Sequence, residues 1–256
     1  MELRNYPMRP DAVYLFGTCL VDLFVPEAGL DAVHLLEREG LQVHFPQQQS
    51  CCGQPAYTSG NPDAARAVAR AQIDLFTEPW PIVVASGSCA GMMRHHWPAL
   101  FADDSAYAER AREIAERVFE FAEFLVRVLC VRFDPADTTP VRVALHTSCS
   151  ARREMDTRSH GVELLAALPG VERVEHDNES ECCGFGGVFS LKHPDISGAM
   201  VRDKTDSLAA ADCQRVVSAD LGCLLNIGHA AEHRRLPLHV EHLASFVRAR
   251  LGGSKP

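Results

Sequence analysis

Eight of the ten cysteines in this 256-residue chain fall into two sets with the same internal spacing. Cys19, Cys51, Cys52 and Cys89 recur as Cys149, Cys182, Cys183 and Cys223, at offsets of 130, 131, 131 and 134 residues. In each set an adjacent pair is followed by glycine, in "QQSCCGQPAY" and in "SECCGFGGVF". Four positions moving almost together restrict the chain to a duplicated unit, and their surroundings say which one. Each first cysteine ends an apolar run of strand character, "VYLFGTC" and "VRVALHTSC", and each last one follows another, "PIVVASGSC" and "RVVSADLGC". Between them lie stretches of helical period, "EAGLDAVHLLEREG" and "NPDAARAVARAQIDLF" in the first half, "HGVELLAALPG" and "DISGAMVRDKTDSLAAA" in the second. Alternating strands and helices predict an α/β fold with a parallel sheet and crossover helices in each half. The cysteines then stand where strands end and helices begin, the edge at which open α/β sheets collect ligands.

The polar, proline-bounded segment "DPADTTP" separates the halves, so the expected domains are 1–134 and 140–256. Tyr107 to Arg132 reads as one long helix closing the first. The "NPD" at Asn61–Asp63 and the "HPD" at His193–Asp195 each predict a helix start with proline at an early position.

Composition narrows the chemistry. A content of 46% hydrophobic and 23% charged residues is that of a globular protein able to build its core without disulfides. The net charge of −9 argues against nucleic acid and anionic membrane surfaces, which reward a basic excess. No apolar run approaches the ~20 residues of a membrane span, and "MELRNYPMRP" lacks the apolar core of a signal peptide. The expected location is the cytoplasm, where repeated cysteines signify metal or redox chemistry rather than disulfides. Cys130, in "FEFAEFLVRVLCV", and Cys213, in "AADCQRVV", stand outside the repeat and are expected to pack as small buried apolar groups.

Three chemistries compete for each set of four. A structural zinc ion usually draws on two Cys-x-x-Cys knuckles, a spacing neither adjacent pair has. A disulfide between neighbouring cysteines closes a small strained ring. Thiolates drawn from three separate loops suit an iron–sulfur cluster, commonly held by four of them. The glycine after each pair is expected to let the backbone approach such a bulky ligand. The "GFGG" of Gly184–Gly187 would add N–H groups able to donate to sulfur and tune a potential. The cluster is favoured, with zinc and thiol redox chemistry as alternatives.

The same residues carry a resemblance. "FPQQQSCCGQPAYTSG", "HTSCSARRE", "CCGFGGVFSLKHPDISGAMVRDK" and "SADLGCLLNIGH" make the chain, from about Val13 to Leu251, similar to the cysteine-rich CCG-domain family. That family includes the B subunit of heterodisulfide reductase and partner subunits of flavin-linked dehydrogenases, and the likeness is strongest to its lactate-utilization branch. The resemblance implies two tandem Rossmann-like CCG domains related by a pseudo-twofold. It implies one or two iron–sulfur clusters, [4Fe-4S] being the expected type. Cys19, Cys51, Cys52 and Cys89 would bind one, and Cys149, Cys182, Cys183 and Cys223 the other. It also implies an electron-transfer role in an oxidoreductase complex that converts L-lactate to pyruvate, with companion iron–sulfur and lactate-utilization subunits as partners. The heterodisulfide branch implies a thiol–disulfide alternative, and a structural zinc protein used for assembly is the non-redox one.

The fuller family motif ends in Cys-x-x-Cys, giving five cysteines per domain for a non-cubane double cluster. Here Ser86 and Asp220 stand where the first cysteine of that pair would be. Four thiolates per half fit an ordinary four-iron cluster better. Each of the two replacements either caps the helix that follows, the favoured reading, or offers an oxygen ligand. His95 and His96 lie after Cys89 and His146 precedes Cys149, where an imidazole would accept protons or replace a thiolate; ordinary surface or core roles compete. Arg152, Arg153 and Lys192 follow cluster cysteines and would offset anionic charge, or be solvated. No GxGxxG or Walker sequence appears, so nothing supports NAD, FAD or ATP.

Overall fold

The computed structural model describes residues 4–134 and 136–252. Pro135, in the expected separator, and residues 1–3 and 253–256, at the outer ends of the expected domains, lie outside the described residues.

The apolar runs form strands, as their β-branched and aromatic content favours. The first half orders β1 (Ala12–Phe16), α1 (Cys19–Phe24), α2 (Pro26–Arg38), β2 (Gln42–His44), α3 (Gln54–Thr58), α4 (Pro62–Ile73), β3 (Ile82–Val84) and α5 (Gly87–Gly91). A π-helical turn over Met92–His96 continues α5 into α6 (Trp97–Leu100), followed by α7 (Ala108–Arg117), β4 (Val118–Glu120) and α8 (Phe121–Glu123). The second half orders β5 (Val141–Leu145), α9 (Cys149–Met155), α10 (Thr157–Ala166), β6 (Val171–Val174), α11 (Val188–Lys192), α12 (Pro194–Ala210), β7 (Arg215–Ser218), α13 (Leu221–His233), β8 (His239–His242) and α14 (Leu243–Arg250).

Each half holds a four-stranded parallel sheet, in the orders β2-β1-β3-β4 and β6-β5-β7-β8. The two orders are the same under the duplication. The chain is thus an α/β protein of two repeated units. Strands covered by helices on both faces are continuous apolar runs rather than alternating ones, and β1 is buried at all five of its residues. Both proline signals start helices: Asn61 caps α4, its Oδ1 accepting from the Ala64 N–H at 3.2 Å, and Pro194 opens α12.

Two expectations fail between Tyr107 and Arg132. The stretch is not one helix, because β4 interrupts it. Val118 and Glu120 pair with Ile82 and Val84, and burying all three residues of the strand at the sheet's edge outweighs their helical surroundings. Cys130 is not a buried apolar group but exposed, with φ of 50° where the helical turn has ended. Cys213 is buried as expected.

The halves share a core. Val13, Leu15, Leu35, Phe119 and Phe124 belong to one apolar cluster with Val143, Leu145, Leu164, Phe246 and Val247. Burying each such side chain fully contributes about 1.5–3 kcal/mol. Across the junction α2 packs on α14, fastened by Arg248 Nε to Asp31 Oδ1 at 2.9 Å, and α5 packs on α9.

Candidate metal centre

The strand-to-helix edge of each sheet gathers its four cysteines. Cys19 opens α1 directly after β1, Cys89 lies on α5 after β3, and Cys51 and Cys52 come in the loop between β2 and α3. Their thiols form a row. Cys19 hydrogen-bonds to Cys51, Cys51 to Cys52, and Cys52 to Cys89 with 3.3 Å between the sulfurs. In the second half the row runs from Cys149 to Cys182, Cys183 and Cys223 by the same contacts. Cys52 and Cys183 are buried and the outer members of the pairs are half-buried, so each row opens to solvent at one side.

The Cys-Cys-Gly turns are superposable in kind. Gly53 has φ of 87° and Gly184 of 84°, a left-handed conformation that costs residues with a Cβ. The turn aims the Gly53 N–H at Cys51 Sγ and the Gly184 N–H at Cys182 Sγ, both at 3.4 Å. The glycines also lie against the following helix: a Cβ on Gly184 would stand 2.6 Å from Ser197 O, and on Gly53 3.1 Å from Ala65 O. Backbone twist and helix contact each require glycine at these positions.

Electrostatics single out one sulfur per row. Hydrogen bonds from Cys19 and Cys52, with the Gly53 N–H, bring the Cys51 thiol down to about 3, and Cys149 and Cys183 bring Cys182 down to about 2. The partners move the other way. Donating to Cys51 and Cys182, together with burial, pushes Cys19, Cys52, Cys149 and Cys183 up, so each row rests with one thiolate held by neutral thiols. Thiolates are the form that binds metal.

The surroundings of the two rows differ. His146, at the end of β5, is buried, and burial first and then Lys204 bring its imidazole down to about 3. One of its ring nitrogens and the sulfurs of Cys183 and Cys223 supply three donor atoms all within 4.8 Å of one another, the one such group among the described residues. A single tetrahedral ion with metal–sulfur bonds of ~2.3 Å needs its sulfurs within ~4.6 Å. The four thiols of the first row therefore spread beyond one ion's coordination sphere. Four thiols drawn from three loops to one sheet edge, with a glycine N–H directed at one of them, suit a metal or metal-cluster site. Thr18, just before Cys19, has φ of 65° and ψ of 147°, a region costly for a β-branched residue, whereas the equivalent Ser148 is relaxed and caps α9.

Contrary to the favoured reading, Ser86 and Asp220 do not cap the helices that follow them. Both sit at helix N-caps, and neither side chain caps its own helix. Instead Asp220 Oδ1 accepts from Ser86 Oγ and from the Ser88 N–H, each at 2.9 Å, so the second half's carboxylate caps the first half's α5. Gly87 permits this approach, since a Cβ there would stand 2.6 Å from Ala151 Cβ. Nearby His242 Nε2 contacts Ala85 O at 3.0 Å and Ala219 O at 3.1 Å, one carbonyl from each half. Sequence reasoning missed Glu120, buried at the end of β4. Burial, with the charges of Glu123 and Asp220, raises its carboxyl to about 8. One oxygen accepts from the Glu123 N–H and the other has no partner among the described residues.

His95 and His96 contact Glu154 on α9 and so join the halves. Arg152 holds Thr147 and Glu179 beside the second row, while Arg153 and Lys192 are exposed.

The sheets, the left-handed Cys-Cys-Gly turns and the paired thiol rows define a duplicated cysteine-rich protein, and the sequence pattern of the family "CCG: Cysteine-rich domain" matches residues 13–94 and 143–228. The chain belongs to that family and, within it, to the lactate utilization protein A group. It is 40% identical over 238 residues to Lactate utilization protein A of Shouchella clausii (strain KSM-K16) and to Lactate utilization protein A 2 of Bacillus mycoides (strain KBAB4), covering 93% of this chain and 99% of each relative. It is 41% identical over 239 residues to Lactate utilization protein A of Bacillus thuringiensis (strain Al Hakam), at the same coverage. Among solved structures, a hypothetical protein from Helicobacter pylori shares the fold with a TM-score of 0.65 at 10% identity. All of this chain aligns, spanning 52% of that protein.

Proposed function

We propose that this chain is the iron–sulfur electron-transfer subunit of a system that oxidises L-lactate to pyruvate without NAD. The observation that carries the reading is the pair of four-thiol rows, each at the ligand-binding edge of its sheet. Cys19, Cys51, Cys52 and Cys89 hold one [4Fe-4S] cluster, and Cys149, Cys182, Cys183 and Cys223 hold a second. When bound, such a cluster supplies one-electron transfer. The protein's own groups set its access and charge: Cys51 and Cys182 are the first thiolates, and Gly53 and Gly184 donate to them. The domains that carry the rows are 1–134 and 140–256, and the place of work is the cytoplasm.

Similarity to lactate utilization proteins over nearly the full length supports the lactate system as context. The partners are its companion iron–sulfur and lactate-utilization subunits. Leu23 and Phe24 on α1 and Leu191 on α11 are 72%, 59% and 82% exposed beside the cysteines, as a surface that docks a partner would be. A second reading has one observation in its favour: His146, Cys183 and Cys223 lie close enough for a single zinc ion.

The test is iron and acid-labile sulfide per chain in anaerobically purified protein. Equal amounts of the two, at four or eight of each per chain and lost by half or entirely in Cys182→Ser, support the reading. Stoichiometric zinc in a colourless preparation overturns it.

A further inference from the structure

His146 is the one imidazole among the described residues whose two ring nitrogens are both sealed from solvent and both without a hydrogen-bond partner. Buried polar side chains in folded proteins nearly always have a partner, and one that does not calls for a reason. Packing is not the reason here. The equivalent residue of the first half, three positions before its first cysteine, is Phe16, fully buried in the apolar cluster that contains Cys52. Phenylalanine thus fills this corner of the fold without orphaned nitrogens. Each residue is tied by its backbone to the end of the neighbouring strand: the His146 N–H donates to Val217 O at 2.8 Å, and Phe16 O accepts from the Ala85 N–H at 3.2 Å.

We propose that His146 takes the place of one of the row's four thiolates as a nitrogen ligand of the second-half centre, alongside Cys183 and Cys223, so that this half holds a mixed imidazole–thiolate set while the first holds thiolates alone. The inference rests on the cluster reading above. One ring nitrogen gives its lone pair to iron and the other keeps its proton. The neighbourhood agrees. Lys204 on α12 is buried close to Cys183 and Cys223 and reaches the Asn178 carbonyl, where the first half has neutral Gln72 on α4 bonded to Ser50. Exchanging a thiolate for a neutral imidazole, beside an ammonium, makes a centre less negative and raises its reduction potential, as histidine ligation does in other iron–sulfur proteins. The two centres of one chain would then accept electrons at different potentials, the second before the first.

The experiment uses the full chain, labelled with ¹⁵N-histidine, loaded anaerobically with iron and sulfide, and reduced stepwise under pulsed electron paramagnetic resonance. A strongly coupled ¹⁵N on the cluster of higher potential, lost completely in His146→Phe and kept in His95→Phe, is the expected result. His146→Phe restores the residue of the other half, and circular dichroism checks its fold. His146→Cys provides a second route, expected to keep its iron, lose the nitrogen coupling and move that cluster to lower potential. Iron uptake with only weak nitrogen coupling, or with coupling unchanged in His146→Phe, overturns this inference and leaves the cluster reading standing. Failure of the wild-type chain to take up iron and sulfide overturns both.

Discussion

Replacing Glu120 by glutamine should remove a pH dependence that the wild-type fold carries in one side chain. Glu120 is 1% exposed, and its carboxyl is raised from an ordinary 4.5 to about 8 by burial and by the negative charges of Glu123 and Asp220. Below pH 4.5 the group is protonated in both folded and unfolded chains and contributes nothing to the pH dependence. Between 4.5 and 8 the unfolded chain gives up a proton that the folded chain keeps, so stability falls as pH rises. Above 8 the penalty is complete. At 1.36 kcal/mol per unit, the shift amounts to on the order of 5 kcal/mol. Glutamine keeps the acceptor that caps α8 through the Glu123 N–H and, like the protonated acid, carries no charge. Urea unfolding of metal-free wild type and Glu120→Gln, followed by circular dichroism from pH 4.5 to 9, measures the difference directly. The curves should meet near pH 4.5 and diverge, with the variant more stable by several kcal/mol at pH 8. His146, His176 and His242, all held neutral by burial, titrate equally in both proteins and cancel. Parallel curves across the range would refute the assignment of a buried, protonated Glu120.

Further predictions concern the turns, the cross-half cap and the unpaired cysteine. Gly184→Ala should cost more than Gly53→Ala: both lose a left-handed glycine, at about 1–2 kcal/mol, but only the first drives a Cβ to 2.6 Å from a backbone oxygen, Ser197 O. Denaturation midpoints check the order, and the reverse order would contradict the helix-contact argument. Asp220→Ala leaves the Ser88 N–H and the Ser86 hydroxyl without their acceptor. It should destabilise by about 1–3 kcal/mol, with Asp220→Asn milder because it keeps an oxygen; a thermal melt unchanged in Asp220→Ala would rule out the cap. Cys130→Ser, at an exposed position, should alter stability by less than about 0.5 kcal/mol and leave iron content unchanged, in contrast to Cys182→Ser.

Much of the architecture was legible because its signals are local. A cysteine that ends an apolar run marks a strand terminus whatever the rest of the chain does, and Pro after Asn61 or His193 starts a helix from its own dihedral. The grouping of the cysteines followed from spacing, since duplicated units carry equivalent residues to equivalent corners. Legibility ended where distant segments decide. "REIAERVFEFAEFLVRV" has helical composition throughout, and Val118–Glu120 became a strand only because β3 offered an unpaired edge. The same reading placed Cys130 inside an apolar helix, whereas the chain turns left-handed there and leaves the thiol in solvent.

By itself the sequence determined a duplicated α/β chain whose eight paired cysteines collect at two sheet edges, because periodicity and strand ends act through neighbouring residues. Only the tertiary structure decided what Ser86, Asp220 and His146 do. Ser86 and Asp220 are 134 residues apart and meet because the two halves pack α5 against α9 over a common core. His146 differs from eleven other histidines not in its neighbours along the chain but in being buried, without a hydrogen-bond partner, within 4.8 Å of Cys183 and Cys223. Desolvation is set by what surrounds a group in space, and no pattern along the chain records it.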